Sequence, residues 1–237
     1  MWRTKSIFLI CIILYSFTAF SQNNQVNDRA EDEKQGLHAD GGSWDFFTSK
    51  SKGDSIFILL IGDSILKGYH QDVIDKLDSV ATIDYWVTGM HLNSPTLLDE
   101  LTEKVSYKAY DVVHFNIGLH GWQEGRIPTG QYVPLLEKYL QTIRVHAPQA
   151  SIIWASTTPV TELDNAILNE EINPIIVKRN QLAQQVMQEN EIPVNDLYNL
   201  MVDKLELARL DRFHWNQKGY QLMSDQIATS VLEALTK

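Results

Sequence analysis

Two hydrophobic periodicities alternate along the chain from about residue 55 to its end. Short, almost unbroken apolar runs are typical of parallel strands buried on both faces. They predict strands at residues 55–61, 82–87, 111–117, 151–155 and 192–194. The segments between them show apolar residues at i, i+3, i+4 and i+7, which predicts helices. This alternation predicts an α/β fold: a three-layer, doubly wound (flavodoxin-like) parallel sheet with helices on both faces.

The order of these elements also predicts where a site lies. Helices are expected at residues 97–105 and 175–187, and Asn216 is the expected N-cap of the last helix. In doubly wound sheets, sites form beyond the carboxyl ends of the strands. Three residues each come just after a predicted strand and should meet at that edge: Ser64, Gly89 and Gly118.

The first 21 residues have the pattern of a secretory signal. Arg3 and Lys5 give a positive start, residues 6–20 are mostly apolar, and small residues precede a predicted cleavage before Gln22. An uncleaved anchor is the alternative. We therefore expect a signal peptide at 1–21 and a secreted or periplasmic protein.

Two further segments follow the predicted signal. Residues 22–53 are a polar leader and N-terminal extension, in which we interpret Trp44, Phe46 and Phe47 as a cluster that packs onto the domain. Residues 54–237 form one domain, without an internal repeat.

Composition narrows the class of protein. Cys11 is the chain's single cysteine and is lost with the signal, which excludes a disulfide or a cysteine nucleophile in the mature chain. The formal charge of the whole chain is −10, and loss of Arg3 and Lys5, with no acid among residues 1–21, makes it −12. Such an acidic chain is not expected to bind nucleic acid or anionic lipid, and we expect no stable membrane insertion after the signal is removed.

The first chemical signal is Gly62-Asp63-Ser64, at the point where a buried strand becomes a helix. The N-terminus of a helix offers unpaired backbone N–H groups and a positive dipole. These groups stabilise the oxyanion that forms if Ser64 attacks a carbonyl. Taken alone, the same three residues also fit a turn with a helix cap.

The second signal is Asp211-Arg212-Phe213-His214, just before the last helix. A serine nucleophile needs a base, and an imidazole base needs a carboxylate that fixes its tautomer. Three residues of separation on a turn allow Asp211 to reach His214. Taken alone, the pair also fits a surface acid beside a half-buried histidine.

Together the two motifs resemble the SGNH hydrolases, the GDSL-type esterases and lipases, over residues 55–237. The resemblance implies that Ser64 is the nucleophile, His214 the base and Asp211 its partner. It also implies that the backbone N–H groups of Ser64 and Gly89 face the oxyanion, and that no cofactor or metal takes part.

The third motif of that family departs from the pattern. The family has Gly-x-Asn-Asp after the third strand, whereas this chain has Gly118-Leu119-His120-Gly121. Alignment on Gly118 puts His120 where the family's asparagine donates to the oxyanion, and a neutral imidazole also has one N–H. Asn116 is the other candidate donor to the oxyanion. Alternatively, its side chain holds the backbone of the loop in place.

The resemblance implies a secreted serine esterase that removes short acyl groups such as acetyl, and we expect a small-molecule or glycan ester, above all a carbohydrate ester, as substrate. The alternatives are a lipid- or thioester-cleaving member of the family and a non-catalytic carbohydrate-binding protein on the same fold. A Gly-x-Ser-x-Gly elbow, a phosphate-binding glycine loop and a His-Glu-x-x-His motif are all absent from the sequence.

Overall fold

The computed structural model describes residues 43–49 and 56–236. The predicted signal peptide, its cleavage site before Gln22 and most of the leader lie outside these residues. Six strands form the main sheet: β1 (Ser43–Phe47), β2 (Ile56–Gly62), β3 (Ala81–Thr88), β4 (Val112–Phe115), β5 (Ser151–Ala155) and β8 (Val194–Asn195). Strands β6 (Thr161–Glu162) and β7 (Asn165–Leu168) form a separate hairpin.

The sheet has the strand order β1-β3-β2-β4-β5-β8. All neighbours are parallel except β1, which runs antiparallel to β3 at the edge. Without β1, the five parallel strands follow the flavodoxin-like order, in which the chain changes direction between its first and third strands. The predicted fold class is confirmed, and the crevice at this change of direction lies beyond the ends of β2 and β4.

Helices cover both faces of the sheet. They are α1 (Ser64–Leu77), α2 (Leu97–Val105), α3 (Tyr132–His146), α4 (Ile172–Glu189), α5 (Leu197–Met201) and α6 (Gln217–Leu235). One core cluster joins α1, α5 and α6 to the sheet, and the other joins α2 and α3. Helix α4 contributes its first turn to one cluster and its last turns to the other. As expected, Asn216 caps α6, accepting from the backbone N–H groups of Lys218 and Gly219 at 3.0 and 3.2 Å.

Two elements differ from the sequence interpretation. The aromatic cluster around Trp44 is an edge strand, β1, and residues 161–168, for which the sequence predicted no strand, contain the β6–β7 hairpin. Both lack a readable period, because most residues of β1 and of β7 are exposed on both faces. Pairing across the strands, rather than burial of one face, holds them in place.

Strand β1 is fixed at both ends. The Trp86 indole donates to the Ser43 hydroxyl at 2.7 Å. At the other end, the Ser49 backbone N–H donates to Asp84 and the Lys108 ammonium donates to the Ser49 carbonyl, both at 2.8 Å. Because β1 is antiparallel to β3, its first residues lie beside Thr88, at the carboxyl edge of the sheet.

His114 is a fully buried histidine in β4. The Asn195 amide lies 3.0 Å from its Nε2, and Gln226 donates to the oxygen of the same amide at 2.7 Å. Asn195 therefore donates to His114, which carries its proton on Nδ1. Burial lowers the pKa of His114 from 6.5 to about 4, so the ring is neutral in the folded protein.

Within the described residues, no helix combines the length and the apolar character needed to cross a bilayer.

Candidate active site

Ser64 is the first residue of α1, at the end of β2. Asp63 caps this helix, because its side chain accepts the backbone N–H of Ile65 at 2.8 Å. A Cβ on Gly62 would lie 2.8 Å from the Cβ of Leu66, so the tight turn from strand to helix requires glycine there. The turn places the Ser64 hydroxyl at a helix N-terminus, on the carboxyl edge of the sheet.

The structure brings Ser64, His214 and Asp211 into one hydrogen-bonded row. His214 Nε2 lies 2.9 Å from the Ser64 hydroxyl, and Nδ1 lies 3.1 Å from Asp211 Oδ2. An ionised carboxylate only accepts, so Nδ1 carries the proton and the lone pair of Nε2 faces the hydroxyl. This is the arrangement in which an imidazole removes a proton from serine.

The second oxygen of Asp211 holds its own loop. Asp211 Oδ1 accepts the backbone N–H groups of His214 at 2.8 Å and Phe213 at 3.2 Å. Partial burial pushes the pKa of Asp211 up, but these N–H donors and the His214 imidazole outweigh it, so the pKa lies below the ordinary value of 3.8. Asp211 is therefore ionised throughout the neutral and mildly acidic range.

Residues in the left-handed conformation flank Asp211. Leu210 has φ +62° and Arg212 has φ +80°. The β6–β7 hairpin holds this loop: the backbone N–H of Thr161 donates to the Arg212 carbonyl, and that of Asp164 to the Leu210 carbonyl, both at 2.9 Å. Each such non-glycine conformation costs on the order of 1–3 kcal/mol and persists only where the surroundings enforce it.

The buried carboxyl group of Asp63 interacts electrostatically with two imidazoles of the site. Burial raises its pKa above the ordinary value, while the imidazoles of His120 and His214 and the Ile65 N–H act in the opposite direction. Two imidazoles from different loops therefore approach the same buried carboxyl group.

Asn116 pins the loop that follows β4. Its amide nitrogen donates to the Ala155 carbonyl at 2.7 Å and to the Thr157 hydroxyl at 3.1 Å, and its oxygen accepts the Gly118 N–H at 3.3 Å. A Cβ on Gly118 would lie 1.8 Å from the Thr157 hydroxyl, so this close approach also requires glycine. Both amide protons of Asn116 are engaged here, which leaves neither for an oxyanion.

His120 lies in the short 3-10 turn Leu119–Gly121 and lines the same cleft as Ser64 and His214. Its Nε2 is buried and has no hydrogen-bond partner among the described residues. The main chain is held instead: Arg126 donates to the His120 carbonyl at 2.7 Å, and Asn93 donates to the Arg126 carbonyl at 2.9 Å. Gly89 is buried directly after β3, in the loop that leads to Asn93.

The cleft measures about 330 Å³. Its lining combines Ser64 and His214 with apolar, aromatic, amide and guanidinium groups: Trp44, Leu119, His120, Trp122, Gln123, Arg126 and Phe213. Trp122 and Arg126, in the segment that follows His120, line the cleft, whereas Tyr132 further along lies under the Arg179 guanidinium, 5.6 Å away. The sequence did not predict that Trp44 lines the cleft, because its position depends on the pairing of β1 with β3, which no local pattern indicates.

Among the described residues, no group of three or more histidine, cysteine, aspartate or glutamate side chains is arranged to hold a metal ion.

The family model of the GDSL-like lipase/acylhydrolase family matches residues 60–222, more than half of the chain. The chain therefore belongs to this family and is an ester hydrolase. The resemblance seen in the sequence is thereby confirmed. No curated protein matches the chain by sequence.

Solved structures share the fold at low identity. A carbohydrate esterase of family 3 from Talaromyces cellulolyticus has 17% identity and a TM-score of 0.63, covering 76% of this chain and 98% of its own. An acetyl xylan esterase has 20% identity and a TM-score of 0.59, covering 74% and 100%. A GDSL-like lipase from Bacteroides thetaiotaomicron has 16% identity and a TM-score of 0.59, covering 87% and 97%. At these identities the likeness is one of fold.

Proposed function

We propose that this protein is a secreted serine esterase that removes short acyl groups, acetyl above all, from carbohydrate esters. The observation that carries the proposal is the row of hydrogen bonds from Ser64 through His214 to Asp211. A serine hydroxyl at a helix N-terminus, with an oriented imidazole in reach, has what acyl transfer requires.

In the proposed reaction, Ser64 attacks the ester carbonyl while His214 Nε2 takes the hydroxyl proton. The negative charge that develops on the carbonyl oxygen is met by the backbone N–H groups of Ser64 and Gly89 and by the imidazole of His120. His214 then gives its proton to the departing alcohol. A water, activated by the same imidazole, hydrolyses the acyl-enzyme and restores the Ser64 hydroxyl.

The choice of His120 over Asn116 as third donor rests on their hydrogen bonds. Both amide protons of Asn116 are directed at β5 and the residues after it, whereas the buried Nε2 of His120 has no partner among the described residues. We propose His120 on this comparison, because Asn116 has no amide proton left to donate.

The size and lining of the cleft support a short acyl group on a sugar. A volume of about 330 Å³ is at the small end of ligand pockets, which suits a short acyl group. Trp44, Trp122 and Phe213 offer aromatic faces, which suit the apolar face of a sugar ring. The carbohydrate and acetyl xylan esterases with the same fold lend this substrate class further support.

Secretion rests on residues 1–21, whose charged start and apolar run have the form of a signal peptide. Sequencing the N-terminus of protein recovered outside the cytoplasm is expected to begin at Gln22. A mature protein that retains Met1 contradicts cleavage.

The first prediction concerns the nucleophile. Ser64→Ala is expected to fold normally and to lose about 10³-fold or more of the hydrolysis of a chromogenic acetate ester. Ser230→Ala, a change in α6 that does not line the cleft, is the matched control and keeps full activity. A folded Ser64→Ala protein with wild-type turnover rules out the serine mechanism.

Substrate class is tested separately with the wild-type protein. Acetylated oligosaccharides are compared with simple esters of increasing acyl length, and kcat/KM is expected to fall as the acyl chain grows. A rise with chain length favours a lipid-cleaving member of the family instead.

A further inference from the structure

We infer that Trp44 is a positioning residue for His120, the proposed oxyanion donor: from strand β1 it packs on the imidazole and holds it at the wall of the cleft. This inference rests on the proposed function, because it assigns Trp44 a part in the reaction of Ser64.

The backbone of β1 directs Trp44 to the site. Ser43 pairs with Thr88 and Asp45 with Val87, so Trp44 is the additional residue of a β-bulge. A bulge turns its extra side chain out of the regular alternation, and bulges recur beside active sites. This one lies at the carboxyl end of β3, the edge of the sheet at which the cleft opens.

The side chain of His120 is oriented by ring packing and by the neighbouring Asp63 carboxyl group, not by a hydrogen bond to its Nε2. Its backbone carbonyl is held by Arg126, but its Nε2 has no hydrogen-bond partner among the described residues. The Trp44 and His120 rings lie with centroids 5.3 Å apart and planes at 83°, the edge-to-face geometry that aromatic pairs prefer. Without this contact, the imidazole loses the packing that favours its present rotamer.

Trp44 is a rigid support because β1 is anchored on both sides of it. The hydrogen bonds of Ser43 to Trp86 and of Ser49 to Asp84 and Lys108 fix the strand to β3 and its surroundings. Oxyanion donors act through preorganisation, so a rigid support for the donor contributes directly to rate.

Trp44 also lies outside the part of the chain that the family model matches, residues 60–222. The departure at His120 lies inside that part. The histidine that replaces an amide donor is thus accompanied by an aromatic partner from a strand that precedes the matched region.

The experiment measures kcat and KM for a small acetate ester with Trp44→Ala and Trp44→Phe. Trp44→Ala is expected to lower kcat about 10-fold with little change in KM, part of the roughly 10²-fold expected when one oxyanion donor is lost. Trp44→Phe keeps a ring at the contact and restores most of kcat. The matched control is Phe47→Ala, which removes an exposed aromatic of the same strand that stacks on Tyr85 and leaves kcat unchanged.

A double-mutant cycle separates positioning from other roles. In a His120→Ala background, Trp44→Ala is expected to cause no further loss, because both changes remove the same donor. The inference is overturned if Trp44→Ala lowers kcat equally in both backgrounds. It is also overturned if Trp44→Ala changes only KM or keeps full activity. Trp44→Leu, which preserves apolar bulk, replaces Trp44→Ala if thermal melting shows that variant to be unfolded.

The two proposals fail differently. If Ser64→Ala retains activity, the serine mechanism itself is wrong. If Ser64→Ala is inactive and the cycle shows no coupling, the esterase mechanism stands and the role of Trp44 is wrong.

Discussion

At the scale of single residues, Asp211 divides two tasks between its two oxygens. Oδ1 accepts two backbone N–H groups of its own loop, and Oδ2 faces His214 Nδ1. The loop geometry and the tautomer of the imidazole therefore depend on one side chain.

This division predicts an unusual effect of Asp211→Asn. The asparagine oxygen can keep both backbone hydrogen bonds, which places its NH₂ group against His214 Nδ1. His214 then protonates on Nε2 and cannot accept the Ser64 proton. We expect normal melting behaviour and a fall in kcat of about 10³–10⁴-fold, the scale of the wrong tautomer. A folded variant with more than a tenth of the activity contradicts the assigned tautomer.

His114 predicts a pH-dependent contribution to stability. Its pKa is about 4 in the folded protein and 6.5 ordinarily, so the unfolded chain binds the extra proton first as pH falls. The contribution of the neutral, buried His114 to stability is fully present above pH 6.5 and is lost progressively as the pH falls to 4. Between pH 7 and pH 5, this amounts to about 2 kcal/mol.

His114→Gln removes this titration. Urea unfolding at pH 7 and pH 5 is expected to show a smaller pH-dependent loss in the variant than in the wild type. His146→Gln, at the last residue of α3, is the control and retains the wild-type loss. An equal loss in His114→Gln and the wild type means that this histidine is not the source.

At the scale of elements, the hairpin and the loop it holds form one unit. The β6–β7 hairpin supplies two backbone hydrogen bonds to a loop whose residues 210 and 212 have positive φ. Side-chain identity matters little in such backbone pairing, which is why the sequence did not reveal it. Strained residues beside a reacting group are typical of functional sites.

Arg212 provides the test of this unit. At φ +80°, Arg212→Gly is expected to fold with equal or slightly higher stability and to keep activity within about two-fold. Arg212→Val, β-branched, is expected to lower the free energy of unfolding by about 1–2 kcal/mol and to reduce kcat, because Asp211 shifts with its backbone. Urea unfolding and acetate-ester kinetics on the two variants provide the measurement. Equal stability of the two variants contradicts a strained loop.

The elements also show what a sequence can predict. The predicted strand 151–155 and helix 97–105 match the structure to the residue. A strand buried on both faces gives an apolar run, and a helix buried on one face gives a 3.6-residue period. Strand β1 and the hairpin, short and exposed, have no such period. Short motifs pointed to Ser64, Asp211 and His214, which the structure brings into one hydrogen-bonded row, while the place of Trp44 beside them depends on the pairing of β1 with β3.

At the scale of the whole molecule, the alternation of strands and helices predicted the layer order and the edge at which the site forms. As predicted, Ser64 comes just after β2 and Gly89 just after β3. Gly118 comes three residues after the end of β4. The antiparallel edge strand β1 was not predicted, because the five parallel strands already form a complete flavodoxin-like sheet without it. The sheet is therefore mixed, mostly parallel, with one added strand that contributes to the cleft.

The bulge at Trp44 has a second consequence, for self-association. Open sheet edges invite strand addition from other molecules, and natural proteins guard them with bulges, charges and very short strands. Here one edge is β1, which carries the bulge and the charge of Asp45, and the other edge is β8, two residues long. The irregularity that aims a ring into the cleft thus also denies neighbouring molecules a regular template for strand addition.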